Sequence, residues 1–335
     1  MTDLLKVPDL VTVTRRGLYC KAGDFYIDPW QPVETAIITH AHGDHLRGGS
    51  AGYYCAQAGE AVARLRLPTD ARVRTLPYGE SCTLGGAKIS LHPAGHILGS
   101  SQVRIEHEGT VWVVSGDYKR DPDPTCAPFE VVPCDVFISE ATFALPAYRW
   151  PDTQLVAREI YDWWQGNRRA GVASILFAYA LGKAQRVLAE LTRFTREKVY
   201  VHGAIAALVQ AYRECGVDML PTLPATVAAK ADYAGALILA PPGAAGSTWI
   251  RRFGDSRSGF CSGWMRVRGD RRRRGYDRGF ILSDHADWPS LLRTIRETGA
   301  RRVLLTHGYT DAMCRYLQEQ GVAAAALRTE YGEEE

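Results

Sequence analysis

The first part of the chain alternates short apolar runs with polar turns, a pattern that predicts β-strands. Runs of this kind extend from Val11–Thr14 to Thr110–Val114, with glycine-containing corners such as Ala22–Asp24 between them. One helical pattern, Ala58–Leu67, interrupts the strands. The pattern therefore predicts an antiparallel or mixed sheet that forms one layer of a sandwich.

From Pro151 onward, helical and strand patterns alternate. Asp152 is predicted to cap a helix that runs to about Trp164 and ends at Gly166, and Ser174–Tyr179 follows as a strand. Repeated β-α-β units favour a mostly parallel sheet covered by helices. The later predicted elements of this part are the helices Lys183–Phe194 and Ala204–Arg213 and the strands Val199–Val201 and Ala236–Leu239.

The pattern changes once more near Gly279. Phe280–Leu282 and Arg302–Thr306 are predicted strands, and Pro289–Thr298 and Thr310–Gln320 are predicted helices. We therefore predict an α/β protein with two domains, in which an inserted domain interrupts the first. The predicted first domain comprises residues 1–145 and 281–335, and the predicted insertion comprises residues 146–280.

Composition narrows the class of protein. With 335 residues, of which 46% are hydrophobic, the chain can bury the cores of two domains. It contains no apolar run of about 18 residues that could span a membrane, and its first residues lack the features of a signal peptide. The eight cysteines form no C-x-x-C pair, a usage typical of reduced thiols. These features predict a cytoplasmic location.

Four potential metal ligands follow the predicted strand Thr35–Ile38 within six residues: His40, His42, Asp44 and His45. The two histidines at alternate positions can point the same way from an extended backbone. Asp44 and His45 come at the turn that follows, so their side chains can face a second metal position nearby. Together they supply half-shells for two neighbouring divalent ions rather than one closed tetrahedral site.

This H-x-H-x-D-H pattern resembles the signature of the metallo-β-lactamase superfamily, whose members are mostly zinc hydrolases. A-G-H-x-x-G, the third motif of that superfamily, selects His96 as a ligand rather than the neighbouring His92. Ser115–Tyr118 resembles the fourth motif and would supply Asp117 as a carboxylate that bridges two metals. Asp28 is either a turn residue before a proline or the first motif, in which it would support a ligand histidine.

Three later residues follow predicted strands. Glu140 comes directly after Cys134–Ser139, and His285 and His307 each follow a later strand, where a histidine is placed to enter a site. They resemble motifs A, B and C of the β-CASP branch, the metallo-β-lactamase relatives that cut nucleic acids and carry an inserted α/β domain. Phe177–Gln185 resembles the F-A-x-G-[RK]-A-Q stretch of that branch.

The resemblance implies an αββα sandwich with an inserted parallel-sheet domain, and Asp44, Asp117, Glu140 and His285 as catalytic residues. A hydroxide between two metals would attack phosphorus in line, and His285, oriented by Glu140, would protonate the leaving oxygen. Zinc is the expected metal, and Mn²⁺ accepts the same ligands. The implied ligands are His40, His42 and His96 for one ion, Asp44, His45 and His307 for the other, and Asp117 between them.

Arginines are concentrated near the end of the predicted insertion. The net charge of +3 is too small to indicate a polyanionic partner, but ten arginines and no lysine lie between Arg251 and Arg278. Guanidinium groups favour phosphate contact, although a solvated loop is the usual fate of such a run. Trp264 could stack on a base or pack in a core. The candidate nucleic-acid-binding residues are Ser262, Trp264, Arg266, Arg268, Arg271, Arg272, Arg273 and Arg274.

Within the β-CASP branch, the chain is most similar to the bacterial ligase-associated DNA exonucleases. Cys261–Arg266, the arginine run and Phe280–Trp288 carry that likeness. It implies a DNA exonuclease in repair that acts on single strands, with a DNA ligase and a helicase as partners. His307 is typical of the RNA-cutting members, so an RNA-processing nuclease is an alternative. A third alternative is a non-catalytic subunit that binds nucleic acid; such relatives lose ligands that this chain keeps.

Overall fold

The computed structural model describes residues 9–226, 233–267 and 275–329. The chain forms two compact units, one made of Met1–Tyr148 with His285–Glu335 and the other of Arg149–Asp284. No helix in the described part of the chain is long and apolar enough to cross a membrane.

The elements are numbered in chain order. The strands are β1 (Val11–Thr14), β2 (Gly17–Cys20), β3 (Phe25–Ile27), β4 (Thr35–Ile37), β5 (Gly52–Ala56), β6 (Val73–Leu76), β7 (Ser81–Leu84), β8 (Ala87–Pro93), β9 (Ser101–His107), β10 (Thr110–Val114), β11 (Val136–Ala141), β12 (Ala173–Phe177), β13 (Val199–Val201), β14 (Thr222–Pro224), β15 (Leu237–Ala240), β16 (Ser256–Cys261), β17 (Arg278–Phe280), β18 (Arg302–Gly308) and β19 (Ala323–Ala326). The α-helices are α1 (Glu60–Arg66), α2 (Thr153–Arg169), α3 (Lys183–Glu190), α4 (Gly203–Glu214), α5 (Trp288–Thr298) and α6 (Thr310–Glu319).

The first unit is a sandwich of two sheets. One has six strands in the order β1-β2-β3-β4-β5-β6, and the other has seven in the order β19-β18-β11-β10-β9-β8-β7. Side chains of β10 alternate between two cores, as the period of a strand requires. Trp112 lies in the core shared by the two sheets with Phe25, whereas Val113 packs with Leu291 of α5 and Met313 of α6. Because α1 packs against β5 of the other sheet, the layers are αββα, which confirms the predicted architecture.

The strand directions gather polar residues at one edge of the second sheet. β10, β11 and β18 are parallel neighbours, so their carboxyl ends lie side by side. Asp117 follows β10, and Glu140 and His307 lie near the ends of β11 and β18. The prediction that Glu140 and His307 directly follow their strands is wrong. Both lie inside the strands because the parallel pairing continues through Glu140 and Thr306 to Ala141 and Gly308.

The second unit contains a six-stranded sheet in the order β14-β13-β15-β12-β16-β17, in which every described pair is parallel. The predicted parallel α/β layer is therefore confirmed. Asp152 caps α2 as predicted, because its Oδ1 accepts hydrogen bonds from the backbone of Gln154 and Leu155.

Two predicted boundaries in this unit are wrong. α2 passes through Gly166 and ends at Arg169, because Asn167, the residue after that glycine, is buried and its amide donates a hydrogen bond of 2.8 Å to Ser174 Oγ. Gly171, with φ +68°, follows the helix end. The predicted strand Phe280–Leu282 is observed as Arg278–Phe280, where its pairing with β16 ends. Pairing with a neighbouring strand, rather than apolar composition, sets this boundary.

Candidate metal centre

Three histidines meet at one point beside the carboxyl end of β4. His42 Nδ1 lies 3.0 Å from His40 Nε2 and 3.1 Å from His96 Nε2. Nitrogen ligands of a tetrahedral zinc ion lie ~3.3 Å apart, as follows from the usual Zn–N bond length. The loop that carries His96 is held in shape by Ser100, whose Oγ accepts a hydrogen bond from the backbone of His96. The three rings are thus placed as they would be around a divalent ion.

Asp117 completes this group. Its Oδ2 lies 3.5 Å from His40 Nε2 and 3.8 Å from His96 Nε2. The preceding Gly116 has φ +55°, and a Cβ there would come within 2.6 Å of Thr39. Glycine therefore allows the loop of Asp117 to approach the loop of the histidines closely. The ligand atoms of His40, His42, His96 and Asp117 all lie within 4.8 Å of one another, so this group could hold a metal ion.

The second predicted ligand set lies beside the first but is looser. His45 Nε2 lies 3.5 Å from Asp117 Oδ2 and 3.6 Å from Asp44 Oδ2. The rings of His45 and His307 stack with centroids 5.3 Å apart. His45 Nε2 is buried without a hydrogen bond, as expected of an atom that a metal would contact. Within the described residues, Asp44, His45 and His307 do not form a group as tight as the first.

Asp28 lies behind the histidines. Its Oδ2 is 2.7 Å from His45 Nδ1, and its Oδ1 accepts a hydrogen bond of 2.7 Å from the backbone of Thr39. Asp28 has φ +43° and His307 has φ +60°, conformations that non-glycine residues adopt at a cost. The surrounding contacts must outweigh that cost, and both strained residues lie at the candidate site.

The close packing of charge shifts the pKa values of the group. Burial, and then the charge of His45, lowers the pKa of His40 well below its usual value. Burial would also lower the pKa of His45, but the carboxylates of Asp117 and Asp28 outweigh it and raise that pKa. Burial would raise the pKa of Asp117, yet His45 and His285 hold it well below its usual value. The shifts thus favour an ionised Asp117, a neutral His40 and a protonated His45, whose proton a bound metal ion would replace.

Glu140 and His285 form a second pair at the same edge. His285 Nδ1 lies 3.0 Å from Glu140 Oε2, and Glu140 Oε1 accepts a hydrogen bond of 2.7 Å from the backbone of Tyr118. The carbonyl of Tyr118 in turn accepts from the backbone of Ala286. These hydrogen bonds connect His285 and its neighbour Ala286 to Tyr118, the residue that follows Asp117. Asp117, Glu140 and His285 also form a group within ligand distance of one another.

His92, the competitor of His96, is not part of the histidine group, and Ser262, Trp264 and Arg266 belong to the second unit. His92 is half-buried and contacts Glu130 at 2.9 Å and Ser90 at 3.0 Å, away from the histidine group. Ser262 is buried, and its Oγ accepts from the backbone of Trp264, which packs at the border of the core of the second unit. Arg266 is exposed. Arg268, Arg271, Arg272, Arg273 and Arg274 lie outside the described residues.

Two residues outside the predicted set support the site. The hydroxyl of Thr39 contacts Asp28. Its position directly before His40 is the sequence signal from which a supporting role could have been predicted. Tyr118 holds Glu140 through its backbone N–H, a contact for which a sequence pattern carries no signal.

Similar proteins share parts of this chain. No protein-family model matches it. A probable DNA ligase of Opitutus terrae is 30% identical over 313 residues, which cover 93% of this chain and 30% of the ligase. Ribonuclease TTHA0252 of Thermus thermophilus is 28% identical over 220 residues, covering 55% of this chain and 49% of the ribonuclease. The chain thus spans no more than about half the length of either relative.

A solved structure shares the fold. The crystal structure of a protein of unknown function from Enterococcus faecalis superposes with a TM-score of 0.59 and covers 89% of this chain and 80% of that one. At 12% identity the likeness concerns the fold alone. The sandwich, the parallel-sheet second unit, the histidine group and these relatives together confirm the predicted resemblance to the metallo-β-lactamase superfamily and its β-CASP branch.

Proposed function

We propose that the chain is a metal-dependent nuclease that hydrolyses phosphodiester bonds in nucleic acid. The observation that carries this proposal is the group of His40, His42, His96 and Asp117 beside the pair of Glu140 and His285. Similarity to a named ribonuclease over 55% of the chain supports it.

The donor set fits divalent metal ions. His40, His42 and His96 would hold one ion, Asp44, His45 and His307 a second, and Asp117 would contact both, since its Oδ2 is 3.5 Å from both His40 and His45. Such ions, when bound, lower the pKa of water and neutralise charge on phosphate. Imidazole and carboxylate ligands suit Zn²⁺, and Mn²⁺ accepts them as well.

His285 is proposed as the proton donor to the leaving oxygen. Its Nδ1 contacts the carboxylate of Glu140, and Nε2 is the nitrogen that we propose to carry the proton for the leaving oxygen. Its side chain is 23% exposed, whereas Glu140 is buried at 1%. A buried carboxylate that also accepts a hydrogen bond from the Tyr118 backbone fixes the orientation of the imidazole ring.

DNA is the substrate we favour. The relative that covers 93% of this chain is named a probable DNA ligase, which supports a DNA exonuclease in repair with a ligase as partner. An RNA-processing nuclease is the second candidate, and similarity to a ribonuclease favours it. Exposed Arg266, with Trp264 and Ser262 nearby in the chain, is proposed to contact the nucleic acid.

A cleavage assay tests the proposal. End-labelled single-stranded DNA and RNA of equal sequence are incubated with the protein in Zn²⁺ or Mn²⁺. We expect DNA to be shortened stepwise by the wild type and not by Asp44→Ala, with the exposed Asp70→Ala as a matched control that keeps activity. Faster cleavage of RNA would favour the second candidate. Cleavage of neither strand by a metal-loaded protein would contradict the nuclease proposal and leave a binding subunit.

A further inference from the structure

The hydroxyl of Thr39 lies between a carboxylate and a predicted metal ligand. Thr39 is buried, with 1% of its surface exposed, and its Oγ1 donates a hydrogen bond of 2.5 Å to Asp28 Oδ2. The same oxygen lies 3.1 Å from His40 Nδ1. It is therefore in contact with both a member of the tight histidine group and the acid behind the site.

The direction of these hydrogen bonds follows from counting protons. A threonine hydroxyl has one proton, and a carboxylate can only accept. Since that proton is directed to Asp28, the oxygen of Thr39 can only accept from His40. The proton of a neutral His40 then lies on Nδ1, which leaves Nε2 with a free electron pair directed toward Asp117 and His42.

The same oxygen, Asp28 Oδ2, also contacts His45 of the second predicted ligand set. His45 Nδ1 lies 2.7 Å from Asp28 Oδ2, the atom to which Thr39 donates. Asp28 thus holds His45 directly and His40 through the Thr39 hydroxyl. We propose that Thr39 is a positioning residue that sets the tautomer of His40 and joins the two predicted metal half-sites to one carboxylate. The inference rests on the metal-binding part of the proposed function and not on the nuclease activity.

Packing holds the hydroxyl in this orientation. The carbonyl of Thr39 accepts hydrogen bonds from the backbone and the hydroxyl of Ser101, at 2.8 and 3.2 Å. Its backbone N–H donates to Asp28 Oδ1. The absence of a side chain at Gly116 leaves room for the Thr39 methyl and hydroxyl groups. With its backbone fixed on both sides, Thr39 keeps its hydroxyl in the relay without depending on a metal.

Measurements of metal affinity test the positioning role of Thr39. Thr39→Val keeps the shape of the side chain but removes the hydroxyl, and Thr39→Ser keeps the hydroxyl as the matched control. Loss of a group that orients a metal-binding histidine weakens affinity by about 10- to 100-fold. We expect that loss of Zn²⁺ affinity in the valine variant, measured by competition with a chelator, and an affinity near wild type in the serine variant. Equal affinity of the valine variant and the wild type, or equal loss in both variants, would overturn the proposal.

A second measurement does not depend on the variants. Nitrogen-15 NMR of the histidines in the metal-free wild-type protein reports which ring nitrogen carries the proton. We expect the proton of His40 on Nδ1, and a proton on Nε2 would contradict the inference even if Thr39→Val fails to fold. A wild type that binds no Zn²⁺ would refute the proposed metal site, and the NMR result would still decide the role of Thr39.

Discussion

His285 Nδ1 lies 3.0 Å from Glu140 Oε2, although 145 positions separate the two residues in the chain. Glu140 is buried in β11 and is held by the backbone of Tyr118, so its orientation does not depend on the histidine. A carboxylate fixed in this way selects one orientation of the imidazole ring. The pair is therefore arranged as a proton donor and the residue that orients it.

Removal of the imidazole should separate chemistry from metal binding. We expect His285→Ala to lower the single-turnover rate of cleavage by about 10²- to 10⁴-fold, the usual contribution of a general acid, while the metal content is unchanged. Rates are measured with labelled DNA, and metal content by elemental analysis. His92→Ala is the control, since His92 contacts Glu130 away from the site. An unchanged rate in His285→Ala would refute the acid role.

Gly116 offers a test of how closely two ligand loops must approach. Gly116→Ala should destabilise the protein and weaken metal binding, because a Cβ would meet Thr39 at 2.6 Å and the left-handed backbone disfavours a side chain. Gly109→Ala is the matched control. Gly109 has φ +75° but no atom within 4 Å of an added Cβ, so it should carry only the left-handed backbone cost of about 1–2 kcal/mol. Urea unfolding and chelator competition measure both effects, and equal behaviour of the two variants would contradict the steric explanation.

Metal removal should lower the stability of the wild type. Ligand bound only by the folded state adds about 2.7 kcal/mol when its concentration is 100 times the dissociation constant. We expect Zn²⁺ to raise the Tm of the chelator-treated wild type and to leave the Tm of His42→Ala nearly unchanged, because His42 Nδ1 lies between two other ligand nitrogens. Differential scanning fluorimetry with and without Zn²⁺ measures the shift. A shift of equal size in His42→Ala would place the bound ion elsewhere.

Sequence patterns predicted most strands because their evidence is local. Trp112, Val113 and Val114 alternate between two cores. In the sequence they form a continuous apolar run, which is typical of a strand that is buried on both faces. The ends of strands are decided by partners far along the chain. Glu140 and His307 are polar residues at the end of apolar runs, yet the pairing of β11 with β18 carries both into the strands.

Helix ends and hydrogen-bond relays were harder to predict for the same reason. Gly166 costs α2 about 1 kcal/mol relative to alanine. Asn167, just beyond the glycine, is buried and donates a hydrogen bond to Ser174, which contributes about 1 kcal/mol and offsets that cost, so the helix continues. The sequence motif was enough to predict the metal ligands. The hydrogen bonds that connect Asp28 through Thr39 to His40 depend on the direction of one hydroxyl group, which only the folded structure defines.

Arg186 joins the beginning and the end of the second unit, and its removal should destabilise that unit. Its guanidinium donates to Thr153 Oγ1 at 2.8 Å and to the Ser283 carbonyl at 2.5 Å, and its side chain is 1% exposed. Hydrogen bonds made by a charged group contribute about 1.5–3 kcal/mol, so we expect Arg186→Met to lower the free energy of unfolding by at least an amount of that order. Arg196→Met is the control, because Arg196 pairs with Asp218 at 64% exposure and solvent screens such a pair, so its loss should change stability little. Urea unfolding followed by tryptophan fluorescence compares them, and an equally small loss in both variants would show that Arg186 does not hold the two ends of the unit together.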